Sequence, residues 1–530
     1  MGNLHWWQRE VIYQLFTPSF QDSDGDGMGD LRGVTARLDY LSWLGVGAVW
    51  LSPFYPTPFR DFGYDISDYQ AVGEQFGSMA DFDALLAAAH ERGLRVILDL
   101  VPNHSSDQHP WFRESRASRQ SPRRDWYMWA DPKPGGGPPT NWLSVFGGSA
   151  WELDPASGQY YYHSFLKTQP DLNWRNPAVR EAMYAMMRFW LEKGVDGFRV
   201  DATWYMLKDE QLRDNPPNPE QKPGGAPDSA VLPKYSSNQP DIHPVLAEMR
   251  RVVDAYDERL LSGELYLSVE EMMKYYGAEH PELHLPYNLR LTDIEWKARE
   301  VAATIDEYQR ALPPGVWPTY TIGSHDRPRV ATRAGVEQTR VAAMLLLTLP
   351  GTPTVYMGDE IGMPNVPIPP ERVIDPQASS WPGHNRDEMR TPMRWEATAN
   401  GVFSPAEPWL PVGPDVATLN VATQRDDPRS LLQLYRRLIA LRRDQPGLVT
   451  GAYAQAELQD ELLAYWRRDA GREWLVALNF GAEPQSLALS EGRRGRVALS
   501  THLDREAEGA EGQVELRGGE GLLIAFGDGA

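Results

Sequence analysis

Cysteine is missing from all 530 residues of this chain, which removes disulfides, thiolate nucleophiles and thiolate metal sites together. The redox compartment is left open. Basic residues are also short, with 52 Lys and Arg against 73 Asp and Glu and a net charge of −21. Nucleic acid and anionic membrane surfaces both need a basic face, so neither is expected as a partner. Long apolar runs are lacking too. The nearest, VAAMLLLTLPGTPTVYM, is broken by Pro350, Gly351 and Pro353 and does not suit a bilayer span. The opening residues MGNLHWWQREVIYQ carry no basic stretch leading into an apolar run and a cleavage site, so no secretory signal is read there and a cytoplasmic protein is expected.

Aromatic residues are plentiful, 19 Trp and 23 Tyr, and flat rings suit sugars, although such residues more often fill cores. The length implies two or three domains. Over the first four-fifths, short apolar strands alternate with amphipathic helices, which is the pattern of βα units on a parallel sheet. The strand candidates are VIYQLF, AVWLSP, RVILDLV, GFRVDA, LLSGEL, LHLPYNL, YTIGSHD and TPTVYMG. Eight is the number a (β/α)8 barrel needs. The expected division is a barrel over 1–103 and 171–447, a small inserted domain over 104–170 after the third strand, and an antiparallel β-sandwich over 448–530. Two further excursions, 209–241 and 360–412, also leave from the carboxyl ends of strands, where barrel enzymes build their sites.

Residues 21–33, QDSDGDGMGDLRG, place Asp22, Asp24, Asp26, the Met28 carbonyl and Asp30 at the spacing of calcium ligands, with Gly27 at the turn. The last position, normally a bidentate Glu, is Gly33, and the segment ahead of the loop reads as a strand rather than a helix. A static metal site stapling a strand to a helix fits that pattern; a hydrated Asp-Gly turn is the alternative.

DGFRVDA, residues 196–202, is the most telling stretch. Strand alternation puts Arg199 and Asp201 together on the lumen face, a costly burial that a hydrophobic pair would spare. Glu264 ends LLSGEL, Asp326 follows His325 at the end of YTIGSHD, and Asp99, Asn103 and His104 lie in DLVPNH. Four strand ends therefore bring polar groups to one mouth. Converging carboxylates with aromatics nearby, and no convincing Ser-His-Asp set, point to glycoside chemistry.

IYQLFTPSFQDSDGDGMGDLRG, DLVPNHSSDQHPWF, DGFRVDA, GEL, SHDRPR and RDEMRTPMRW, in that order, resemble the α-glucosidases of the α-amylase superfamily, the oligo-1,6-glucosidase-like branch of retaining glycoside hydrolases. The likeness runs from about Trp7 to the C-terminus. It implies Asp201 as nucleophile, Glu264 as general acid/base and Asp326 as the third acid, with Asp61, Tyr64, His104, Arg199, His325 and Arg386 clamping the non-reducing glucose. Arg199 is expected to keep Asp201 ionised, and Glu264 to need a raised pKa. The same likeness assigns Asp22, Asp24, Asp26, Met28 and Asp30 to a structural Ca2+, with Mg2+ as the other candidate, and implies no organic cofactor. The substrates expected are small α-glucosides, the protein acting as a monomer or small homo-oligomer.

Ala202 stands where members preferring α-1,6 bonds typically carry Val, which leans towards α-1,4-linked disaccharides, and Ser324 stands where the family usually has Asn. The 209–241 loop is either a cap over the pocket or a disordered spacer. Hydrolysis releasing glucose is the leading reading. A transglucosylase or isomerase acting on sucrose, maltose or trehalose is the alternative, and a non-catalytic transporter ectodomain a third.

Overall fold

The structure is a computed structural model that describes residues 4–222, 224–469 and 471–527. Eight strands form the central sheet: β1 Ile12–Leu15, β2 Ala48–Leu51, β3 Arg95–Leu100, β4 Gly197–Val200, β5 Leu260–Leu265, β6 Leu285–Asn288, β7 Thr319–Thr321 and β8 Thr352–Tyr356. Seven fall within the expected segments, and the eighth, β7, begins one residue ahead of YTIGSHD, at Thr319. All seven ladders are parallel; β8 pairs with β1, as in Ile12 opposite Thr354, and β7 pairs with β8. β6 and β7 then come side by side and close a barrel, without a recorded ladder between them among the described residues.

Helices return each strand to the start of the next, and their ends are written in the sequence. Met79–Glu91 begins at a capping box in which Ser78 Oγ accepts from Asp81 N–H and the Asp81 carboxylate accepts from Ser78 N–H. Pro177–Glu192 begins at Asn176, with Pro177 in the first turn. The apolar faces of these helices and the outward side chains of the strands form one continuous core.

Between β3 and Pro177–Glu192 lies a three-stranded antiparallel sheet of Trp129–Ala130, Trp151–Asp154 and Gln159–Tyr162. The C-terminal part holds a six-stranded antiparallel sheet, beginning with Ala452–Leu458 and Leu462–Asp469, and a two-stranded one of Gln485–Ala488 with Gln513–Leu516. Leu475, Leu487, Leu516 and Ile524 belong to their shared core. Among the described residues no helix is long and apolar enough to cross a membrane.

Candidate active site

Strand alternation delivers the main chemistry to the C-terminal rim. On β4, Phe198 and Val200 point into the helical core, while Arg199 and Asp201 point into the lumen. Arg199 is the hub. Its Nη1 donates to Asp99 Oδ1 at 2.9 Å and to Asp201 Oδ1 at 2.7 Å, and its Nη2 lies 2.8 Å from Glu264 Oε1. Three neighbouring strand ends thus bring three carboxylates to one guanidinium. Glu264 Oε2 also accepts from the Ala202 N–H at 3.0 Å. Ala202 holds the left-handed conformation, with φ of 45°, where a β-branched Val is worse accommodated than Ala.

One cation among three carboxylates leaves an excess of negative charge. Burial pushes the Asp201 carboxyl up, Arg199 draws it back, and Glu264 and Asp99 push it up again, so it ends well above the ordinary aspartate range. The expectation that Arg199 keeps Asp201 ionised is corrected accordingly, because the like charges of Glu264 and Asp99 act with burial against it.

Asp326 behaves in the opposite way. Burial would raise its carboxyl, but His325, Arg390 and Arg386 outweigh burial and hold it well below the usual range. Arg390 Nη2 donates to Asp326 Oδ1 at 2.5 Å, and His325 Nε2 lies 3.0 Å from Oδ2. His325 Nδ1 is 2.7 Å from Gln14 Nε2, and its Nε2 is 2.9 Å from the Tyr64 hydroxyl, which donates to Asp99 Oδ2. A proton on Nε2 satisfies Tyr64 and Asp326 and leaves Nδ1 to accept from Gln14. Ser324 Oγ accepts from the Asp326 N–H at 3.2 Å and so shapes the turn that carries these two residues.

Arg386 closes the far end, its Nη2 donating to Asp61 Oδ1 at 3.0 Å and to Asp375 Oδ1 at 2.8 Å. Gln169 Nε2 donates to Asp61 Oδ2 at 3.0 Å and lies 3.1 Å from His104 Nε2. Burial keeps His104 neutral despite nearby Asp171 and Asp61.

All nine residues singled out for catalysis or sugar binding come together here. Asp61, Tyr64, His104, Asp201, Glu264, Asp326 and Arg386 line a cavity of about 270 Å3, with Arg199 and His325 directly behind. Gln169, Asp375 and Arg390 went unnamed from the sequence. Arg390 was within reach, being the second arginine of RDEMR. Asp375 has no local signal and is recruited only by the folding of its loop.

An aromatic collar of Phe146, Phe165, Trp204, Tyr205, Tyr266 and Trp381 surrounds the cavity. All three long excursions contribute: Phe146 from 104–170, Ala226 from 209–241 and Trp381 from 360–412. The 209–241 loop is seated on the site, because Trp381 Nε1 donates to the Gly224 carbonyl at 3.2 Å and Pro217 pairs with Val231. The spacer reading is thereby set aside. A larger cavity of about 580 Å3, lined partly by Arg124, Trp129 and Lys208, contains none of the nine residues.

The acidic loop packs away from this cavity. Carboxylate oxygens of Asp22, Asp24 and Asp30 lie within 4.8 Å of one another. Asp26 stands outside that group, its Oδ1 accepting from the Met28 N–H at 2.7 Å; the Asp22 and Asp30 carboxylates likewise accept from N–H groups of the loop, Asp22 from Gly25 and Gly27 and Asp30 from Ser23 and Gly33. A side chain at Gly33 would begin 1.9 Å from the Gln21 carbonyl oxygen, so no ligand can be carried at that position. Hard carboxylate oxygens with only Arg32 close by, 3.5 Å from Asp24, fit a hard divalent cation.

A guanidinium-bridged pair of carboxylates at the rim of an eight-stranded barrel, under aromatic walls, defines a glycoside hydrolase. The sequence matches the family of alpha amylase catalytic domains over residues 14–451, and the chain belongs to that family. It is 41% identical over 524 residues to a probable alpha-glucosidase of Rhizobium meliloti (strain 1021), covering 95% of both chains. It is 39% identical to an oligo-1,6-glucosidase of Parageobacillus thermoglucosidasius, covering 89% of this chain and 90% of that one. Among solved structures it superposes on the trehalulose synthase MutB of Pseudomonas mesoacidophila MX-45 with a TM-score of 0.91, at 34% identity and covering 99% and 100% of the two chains.

Proposed function

We propose that this enzyme is a retaining, exo-acting α-glucosidase that releases α-glucose from the non-reducing end of short α-glucosides, preferentially α-1,4-linked disaccharides such as maltose. The observation that carries this is the Arg199 bridge. Two carboxylates held by the two terminal nitrogens of one guanidinium are kept close together, which favours the spacing of about 5 to 5.5 Å that retention uses. Ala202 supports the α-1,4 leaning.

In the first step the Asp201 carboxylate attacks the anomeric carbon, while Glu264 gives its proton to the departing glycosidic oxygen. An ester between glucose and Asp201 forms and the aglycone leaves. In the second step Glu264 takes a proton from water, whose oxygen attacks the same carbon and releases α-glucose with Asp201 restored. Asp326, held ionised by two arginines, accepts from sugar hydroxyls and draws the ring towards its reactive shape. Asp61, Tyr64, His104, His325 and Arg386 supply the other contacts at the blind end, which admits a terminal glucose and not a chain interior. The acidic loop, with Asp22, Asp24 and Asp30 as its converging ligands, holds Ca2+ as a staple that takes no part in bond making.

The test is a product assay on maltose, isomaltose and sucrose, with NMR to fix anomeric configuration and Asp201→Asn as control. Initial β-glucose, or unimpaired turnover by D201N, would sink the two-step scheme. The structural likeness to a trehalulose synthase gives a second reading, transfer or isomerisation from the same ester, and predominance of those products over glucose would select it.

A further inference from the structure

Beside the catalytic cavity lies a second recess of about 400 Å3, between the ends of β5, β6 and β7. Tyr266 and Arg327 line both, so the two spaces share a wall. On its far side the recess is walled by Leu265, Leu267, Leu289 and Ile294. Its polar side chains are already engaged. Arg327 Nε lies 3.0 Å from Asp293 Oδ1, with the Arg327 guanidinium stacked 4.6 Å over the Tyr266 ring. Arg290 Nη2 donates to Glu307 at 2.7 Å.

That wiring decides what the recess can hold. A further glucose unit carries several hydroxyls, each needing a well-placed partner when it leaves water, whereas Asp293 is turned on Arg327 and Arg290 on Glu307. Nor does Tyr266 offer a free ring face on the side Arg327 covers. Leu267 and Ile294, the half-buried aliphatic side chains of the wall, instead suit a flexible hydrocarbon.

We propose that this recess is an aglycone site for aliphatic chains, so that the enzyme acts on alkyl α-glucosides, with the glucose in the catalytic cavity and the chain passing Tyr266 and Arg327 to lie against Leu267, Leu289 and Ile294. The proposal rests on the α-glucosidase reading for its glucose-binding end. It names a class of leaving group that the blind pocket alone does not select.

The experiment takes methyl, butyl, hexyl and octyl α-D-glucopyranosides, with maltose and maltotriose, as substrates of the wild-type enzyme and as ligands of Asp201→Asn in calorimetry. Once the chain is long enough to pass Tyr266, kcat/KM and affinity rise about two- to fourfold per added methylene and level off when the recess is full. Ile294→Asp and Leu267→Asp, as separate variants, lower the octyl-to-methyl ratio about tenfold or more. Two variants and an unmutated series keep the reading open should one substitution fail to fold. A flat series in turnover and binding overturns the proposal, and so does a gain from maltose to maltotriose exceeding that from methyl to octyl. Failure to cleave maltose and methyl α-glucoside, with binding still rising along the series, defeats the hydrolase reading and leaves the recess standing. Cleavage of both with a flat series defeats the recess alone.

Discussion

Asp375 is the residue on which the blind end of the pocket depends most indirectly. It is buried and caps the short α-helix Pro376–Ser380, its Oδ1 accepting from the Gln377 N–H, far in sequence from Asp201, Glu264 and Asp326. Its Oδ1 accepts from Arg386 Nε at 3.1 Å and Nη2 at 2.8 Å, and its Oδ2 from the Arg386 N–H at 2.7 Å. Those three bonds fix the arginine that also reaches Asp61 and Asp326. Asp375→Asn keeps the shape, removes the charge and replaces one acceptor by a donor facing a donor. A hydrogen bond to a charged group is worth about 1.5 to 3 kcal/mol, so a loss of that size in sugar positioning lowers kcat/KM on maltose about ten- to hundredfold. Stability gives a second readout. Burial would raise the Asp375 carboxyl, but Arg386 outweighs it and holds the group below its ordinary value. Its contribution is therefore full above the unfolded aspartate pKa of about 3.9 and is lost as pH falls through the lower folded value. The Tm gap between wild type and D375N should be widest near neutrality and narrow on acidification. A kcat/KM within about threefold of wild type, or a Tm gap that widens in acid, would refute the reasoning and show that Asp61 and Asp326 hold Arg386 unaided.

Glu264→Gln cannot donate a proton, so kcat on maltose should fall about 10²- to 10⁴-fold, while an aryl α-glucoside with a good leaving group should lose much less in its first step; equal losses would remove the general-acid role. Asp99→Asn takes away one of the like charges that raise Asp201, so the acid limb of the kcat/KM profile should move to lower pH, and a shift upward would overturn the like-charge account. Chelation should lower Tm while leaving kcat of the still-folded enzyme near its starting value, because the Asp22 loop lies apart from the cavity; lost turnover in a folded, chelated enzyme would contradict the staple assignment.

The strands were readable because their signal is local. RVILDLV and GFRVDA are short, β-branched and bounded by turns, and the polar residues that break their apolar pattern, Asp99, Arg199 and Asp201, are those that meet in the lumen. Charge balance was not. Arg199 and Asp201 are two residues apart and suggest a simple pair, yet the pairing is shared with Asp99 and Glu264, which lie 102 and 63 positions from Asp201 along the chain and become its neighbours only on folding. Gln169 and Asp375 were hidden for the same reason, each gaining its role from a partner more than ten residues away.

The collar of the cavity draws Phe146, Ala226 and Trp381 from three excursions that belong to no barrel strand. The bond-making pair and much of the cavity mouth are therefore borne by separate parts of the chain. Exchanges at Phe146, Ala226 or Trp381 can remodel what enters the cavity without shifting a strand end, whereas a change of register on β4 or β5 would move Asp201 or Glu264 to the wrong face. Mutational tolerance should divide along that line: directed evolution of the leaving-group preference has most room at those mouth positions, and least in the eight strands and at His104, Gln169, Asp375, Arg386 and Arg390, which the same excursions carry.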